Sequence, residues 1–343
     1  MNELLIALNA ERKKMMNSGV LCIIAFLVAI TLTILIERRL IPILSSRAKQ
    51  PIYEGGPSWH ISKSGTPTMG GLAFLFSTII SLVVVLAIML YVNEDFSTGI
   101  AIIITLLFAV GNSLIGIFDD LMKLYKKKNA GLSPAQKLLL QFILSVLFLM
   151  ARAHFFDDGK SIRFMFGDIY LGFLYYPFAI ILLLGIVNCA NLTDGIDGLA
   201  SSTSIAVGIA FLIVGIISSL TDALVTSSAL IGGATGFIIF NRHPAKIFMG
   251  DTGSLFLGAL AVGVAFCSGN PASIILIGGV YVIEGVSVIL QVLYYKITKK
   301  RLFKMAPLHH HLEKCGFSEN KICALAVIAT VVFSTLSIVI FKW

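Results

Sequence analysis

Ten apolar stretches, most of them about 17–25 residues long, dominate this chain, and that is the length an α-helix needs to cross the hydrocarbon core of a bilayer. In lipid such a stretch must bond its own backbone, so a helix is the form open to it. The stretches lie near 19–36, 70–92, 99–118, 135–155, 173–190, 203–220, 223–240, 253–267, 272–296 and 322–341. The run at 253–267 is short for a crossing, and a helix there is expected to begin inside the preceding loop. Only 13% of the residues are charged, half of the roughly 25% that a soluble domain uses to solvate its surface. The expected fold is all-α: a polytopic membrane bundle of about ten spanning helices, with residues 1–343 as one integral-membrane domain. Arg12, Lys13 and Lys14 precede an apolar run that stops at Glu37, Arg38 and Arg39 without a small-residue cleavage pattern, so the first span is expected to stay in the protein. The five cysteines form no CxxC clip, and neither a disulfide framework nor a zinc site is expected.

Lys and Arg set the orientation, because cytoplasmic loops hold their excess. Seventeen fall in the odd-numbered loops, six in the even-numbered loops and the two tails, and three within spans. The odd loops are therefore expected in the cytoplasm and both termini outside. The basic N-terminal tail pulls the other way, and residues 1–14, with Leu4, Leu5 and Leu8, suit a short helix lying at the interface. Lys126, Lys127 and Lys128 read as ordinary positive-inside residues holding anionic headgroups.

Five aspartates fall in odd loops: Asp119 and Asp120, Asp194 and Asp197, and Asp251. The orientation came from cations alone, yet it puts all five acids on one face. Each taken alone suits a solvated helix cap; together, with basic residues interleaved, they suit a site. Asp119 and Asp120 repel each other unless a cation compensates, and Lys123 lies one turn on. In the loop 191–198 (N-L-T-D-G-I-D-G), a glycine follows each acid and allows close backbone approach to a ligand. Asp251, between Gly250 and Thr252-Gly253, opens a helix where oxygen ligands and free N–H groups can hold a metal and a phosphate together. Phe248 beside it can stack on a flat base or anchor at the membrane interface.

Three consecutive histidines, His309, His310 and His311, sit in the last odd loop. On a helix they point about 100° apart, so they suit several phosphate or hydroxyl contacts better than one metal. Glu284 lies inside the ninth stretch, where an acid is a functional candidate by default, or else a buried partner for Lys296 or for backbone donors. Oxygen-only acids suit Mg²⁺, and Lys63, Lys123, Lys137 and the histidines can cover phosphate charge. The whole reads as phosphoryl transfer at a membrane surface between a soluble substrate and a lipid phosphate. A proton- or cation-coupled transporter is the rival, but it should place its ionisable groups near the midplane, and no inverted repeat is evident.

The segments P-T-M-G-G (67–71), F-D-D-L-M-K (118–123), N-L-T-D-G-I-D-G-L (191–199), F-M-G-D-T-G-S-L (248–255) and A-P-L-H-H-H-L-E (306–313) occur in that order. The set resembles the polyprenyl-phosphate N-acetylhexosamine-1-phosphate transferase superfamily over essentially the whole chain, and the last segment resembles its muramoyl-pentapeptide branch. That resemblance implies UDP-MurNAc-pentapeptide and undecaprenyl phosphate as substrates, lipid I and UMP as products, and Mg²⁺ as cofactor. It further implies a homodimer in the bacterial cytoplasmic membrane, with the active site on the cytoplasmic face and no nucleic-acid partner. By the same analogy Asp251 is the Mg²⁺ ligand, Asp119 and Asp120 are catalytic acids, and His309 acts near the pyrophosphate. Asn191, Asp194 and Asp197 would line the nucleoside pocket with Phe248 on uracil. Lys63, Thr68, Lys123, Lys137, Asn241, Gln291, His310 and His311 would complete the cleft. A sister enzyme using UDP-GlcNAc is the nearest alternative.

Overall fold

The computed structural model describes residues 2–47, 63, 65–92, 96–126, 131–156 and 159–343, the side chains of 2–17 and of Arg47 excepted. Lys127 and Lys128 lie outside the described residues. Among the described residues twelve α-helices follow one another: α1 Asn2–Arg47, α2 Gly71–Tyr91, α3 Phe96–Lys126, α4 Pro134–Phe155, α5 Tyr175–Thr193, α6 Leu199–Ser218, α7 Thr221–Asn241, α8 Gly250–Cys267, α9 Ile274–Ile277, α10 Gly279–Thr298, α11 Leu308–Lys314 and α12 Glu319–Ile340. Among the described residues ten helices are long and apolar enough to cross a membrane, as the apolar runs foretold. The one sheet among them is a hairpin between α4 and α5, β1 Ser161–Phe164 against β2 Gly167–Tyr170, antiparallel with Ser161 opposite Tyr170.

Three boundaries depart from expectation. Residues 2–47 form one unbroken helix, so no separate interfacial helix precedes the first span, and the helix runs on past Arg39. The ninth stretch is two pieces, α9 and α10, parted at Gly278. α3 does not end at 118 but continues to Lys126, which puts Asp119 and Asp120 on a helix rather than in a loop.

α8 is the centre. Of its most apolar window 89% is buried, against 28% for α4, α10 and α12, which face outward. Backbones approach it closely because glycines stand at the crossings, the packing mode that serves helices surrounded by lipid. A Cβ on Gly71 of α2 would lie 2.3 Å from the Gly253 Cα, and one on Gly116 of α3 would lie 2.3 Å from the Asp251 carbonyl oxygen. The segment before α2 is tied to the same place: Phe248 N–H donates to Pro67 O (2.8 Å), Gly70 N–H to Phe248 O (2.9 Å) and Gly71 N–H to Met249 O (3.0 Å). These contacts gather the end of α3 and the starts of α2 and α8 at one end of the bundle.

Candidate active site

A helix start leaves backbone N–H groups without partners, and Met249, the residue before α8, offers no side-chain cap. The acceptor comes from α3 instead. Asp120 takes Asp251 N–H (3.2 Å), Thr252 N–H (2.9 Å) and the Thr252 hydroxyl (2.7 Å). Its charge also suits the positive end of the helix dipole. Gly250, at φ 70°, makes the turn, and no Cβ would fit there, since Asp120 Oδ2 lies 2.5 Å from its position.

Capping α8 from α3 brings three carboxylates together: oxygens of Asp119, Asp120 and Asp251 lie within 4.8 Å of one another. Two lysines answer them. Lys123 Nζ lies 2.7 Å from Asp119 Oδ2 and 3.1 Å from Asp251 Oδ2. Lys137, from the first turn of α4, reaches Asp251 Oδ2 at 2.5 Å and Asp119 Oδ2 at 3.1 Å. Leu132 N–H donates to Asp119 Oδ1 (2.7 Å). Asn191, in the last turn of α5, donates to Asp251 Oδ1 (3.0 Å) and to Ser254 (2.7 Å). Exposure separates the acids: the Asp251 side chain is 15% exposed, while Asp119 and Asp120 are at 0% and 3%. Asp251 is the one a ligand can reach.

Asp194, just past α5, is half-buried beside this group. Burial first, then the carboxylates of Asp251, Asp120 and Asp197, push its carboxyl well above the ordinary range. Asp197 belongs to a second cluster. Lys63 Nζ lies 2.7 Å from both Asp197 Oδ1 and Glu319 Oε2, and His243 Nδ1 is 3.0 Å from Asp197 Oδ2. Glu319 and His243 are additions that sequence reasoning missed. Glu319 reads as an ordinary first-turn acid of α12, and His243 lies in the N-R-H-P segment with no feature to single it out.

The histidines part company, as their helical spacing requires. His309 is wholly buried, with Nδ1 3.1 Å from Glu284 Oε2. Glu284 thus has a histidine partner, and Lys296 is exposed. His310 Nδ1 pairs with Glu313 (2.7 Å). His311 turns back to its own loop, where Nδ1 accepts from Lys304 N–H (3.1 Å). Gln291 likewise serves that loop, accepting from Phe303 N–H (2.8 Å). Thr68 is buried with its hydroxyl unpartnered among the described residues, 3.1 Å from where a Gly250 Cβ would stand. Phe248 is part-buried in the segment leading to α8.

Asn241 is buried and fully engaged: its Oδ1 accepts from Gly198 N–H (3.1 Å) and Ser201 (3.2 Å), and its Nδ2 donates to Ile247 O (2.9 Å). It joins the 194–198 loop to the segment before α8. Asn241→Ala would orphan these buried groups, and about 2–4 kcal/mol of stability should go with them. A lowered apparent melting temperature in detergent is the expected reading; an unchanged one would show that the tie is dispensable.

Residues 100–269 match the glycosyl transferase family 4 model, and residues 63–75, which hold Lys63 and Thr68, match the phospho-N-acetylmuramoyl-pentapeptide-transferase signature 1. Proteins bearing the name phospho-N-acetylmuramoyl-pentapeptide-transferase align along nearly all of the chain. That of Clostridium perfringens strain SM101 is 42% identical over 91% of this chain and 93% of its own length. That of Bacillus subtilis strain 168 is 40% identical over 92% and 97%. That of Caldicellulosiruptor bescii is 38% identical over 92% and 96%. Identity at this level across more than nine-tenths of both partners, joined to the signature beside the aspartate cluster, makes this chain a member of the phospho-N-acetylmuramoyl-pentapeptide-transferase family of membrane enzymes.

Proposed function

We propose that the chain transfers phospho-MurNAc-pentapeptide from UDP-MurNAc-pentapeptide to undecaprenyl phosphate, giving lipid I and UMP, with Mg²⁺ as cofactor. One observation carries the reading: three carboxylates and two ammonium groups from α3, α4 and α8 meet at one partly open point. Three acids against two lysines leave a negative charge over, on an oxygen-only donor set of the kind that suits Mg²⁺. Asp251 would hold the ion, with Asp119 and Asp120 beside it, and the bound metal would neutralise pyrophosphate charge. The Asp197 cluster is different, because its donors include the His243 nitrogen and Lys63 already sits on both of its carboxylates.

Lys123 and Lys137 meet the charge that spreads over the oxygens of the phosphoryl group in transfer. An oxygen of the lipid phosphate attacks the phosphorus next to MurNAc; the bond from that phosphorus to UMP breaks, and UMP leaves with the electron pair. A lipid phosphate is largely ionised near neutral pH and needs little help from a base, so Asp119 acts on the nucleophile through the two lysines it holds more than by deprotonating it. Both Asp119 oxygens are engaged, one by Leu132 N–H and one by the two lysines, which supports direct attack over an aspartyl-phosphate intermediate. A radiolabelled phospho-MurNAc adduct trapped on the enzyme before lipid is added would overturn the single step.

Asn191, Asp194 and Asp197 line the nucleoside side with Phe248 against uracil. Lys63, Thr68, Asn241, Gln291, His310 and His311 stand at the edges of the cleft, and His309 near the pyrophosphate. The excess of Lys and Arg in the loops at this end supports a cytoplasmic face with both termini outside, and a homodimer in the bacterial membrane is what the family resemblance implies. Purified protein with undecaprenyl phosphate should release UMP from UDP-MurNAc-pentapeptide and far less from UDP-GlcNAc. Chelating Mg²⁺ should stop turnover, and restoring it should bring turnover back. Preference for UDP-GlcNAc would transfer the chain's activity to the sister class; turnover unaffected by chelation would remove the metal.

A further inference from the structure

An acid within a membrane helix needs a partner, and the partner of Glu284 is the first histidine of α11. The Glu284 carboxylate accepts the His309 backbone N–H through both oxygens (3.2 Å each) and faces ring Nδ1 at 3.1 Å. A carboxylate can only accept, so Nδ1 must carry the proton, and in the neutral ring Nε2 is then left with the lone pair. That nitrogen is buried and has no hydrogen-bond partner among the described residues. It faces Gly195, between Asp194 and Asp197, where a Cβ would stand 2.1 Å from Nε2. A buried polar atom with no partner costs free energy, and here it is aimed at the loop that carries two of the site acids.

We propose that Glu284 is a positioning residue that fixes His309 as the Nδ1–H tautomer, leaving Nε2 as an acceptor for a hydroxyl or N–H of the substrate on the side of the 194–197 loop rather than for its phosphate oxygens, which carry no proton. The inference rests on the reading of His309 as a residue of the transferase site. A purely structural role, holding the start of α11 through the backbone N–H, is the competing account, and Glu284→Gln separates the two. Glutamine keeps the shape but has one oxygen: set on the His309 backbone N–H alone, it leaves the amide nitrogen to donate to Nδ1 and move the ring proton to Nε2. Set in the place of Oε2 it accepts from both, and a retained Nδ1–H tautomer must then come with near wild-type kcat, a lowered kcat overturning the proposal.

The experiment is ¹⁵N-histidine NMR of the full-length protein in nanodiscs, with the His309 signals identified by their loss in His309→Ala, beside steady-state kinetics of the same samples. Wild type should show the Nδ1–H tautomer and Glu284→Gln the Nε2–H tautomer. With that inversion kcat should fall about 10²-fold or more, the scale of a lost proton-transfer or orienting group, while KM for UDP-MurNAc-pentapeptide stays near the wild-type value. Glu284→Gln combined with His309→Ala should be no slower than His309→Ala alone, since the two act as a unit. An Nε2–H tautomer in the wild type would overturn the proposal, and so would an inverted tautomer with near wild-type kcat. Should Glu284→Gln fail to fold, Glu284→Asp must keep the Nδ1–H tautomer and exceed Glu284→Ala in kcat; equal rates would overturn it. A His309→Ala enzyme with wild-type kcat would instead overturn the reading of His309 as a site residue, while the tautomer measurement still decides what Glu284 does.

Discussion

Asp251→Ala is expected to lower kcat by at least about 10³-fold, the scale at which preorganised charge at a reacting centre acts, while the protein keeps its fold. The reason lies in the charge balance. Removing Asp251 leaves Asp119 and Asp120 facing Lys123 and Lys137, so no buried ion loses its last counterpart. Repulsion among the acids is relieved at the same stroke. Lipid I synthesis should therefore disappear from a protein whose apparent melting temperature stays close to that of wild type. Near-normal turnover would refute Asp251 as the metal ligand, and a collapsed melting temperature would mean that its ion pairs hold the helices together.

The neighbouring acid should behave differently, because Asp120→Ala ought to damage stability and activity alike. The Asp120 carboxylate is the acceptor for the first N–H groups of α8, and α8 is the helix around which the bundle packs. Loss of hydrogen bonds to a charged acceptor, with buried donors left orphaned, should cost on the order of 2–4 kcal/mol. The Asp251 backbone would no longer be held against α3, so kcat should fall as well. Asp120→Asn keeps one acceptor oxygen and should lie between alanine and wild type in melting temperature. An Asp120→Ala protein as stable as wild type would show that α8 needs no cap from α3.

The spans were legible because lipid imposes one rule on every residue it touches, and a run of apolar side chains obeys it visibly. What broke the reading were helix ends. The apolar run of α3 stops near 118, but hydrogen bonding carries the helix on to Lys126, since acids and lysines are tolerated once the helix leaves the hydrocarbon. Gly278 parts α9 from α10 within a stretch whose hydropathy barely changes. At the site, Asp119, Asp120 and Asp251 were legible as residue types that do not belong beside apolar helices unless something is gained. Their convergence was not, because it depends on Gly116 and Gly250 admitting another backbone or side chain, a property of the partner rather than of the glycine. Glu284 could be noticed but not paired. His243 and Glu319 became part of the picture only when the fold brought Glu319 to Lys63 across a sequence separation of 256.

That last pairing bears on how the enzyme comes to life. Lys63 precedes the second span, and the carboxylate that grips it opens the tenth among the described residues, α12. A nascent chain can thread nine spans into the bilayer and still lack this clasp. Competence of that corner therefore waits on α12 to leave the ribosome, and a product cut short before α12 would be inserted but incomplete at its aqueous end.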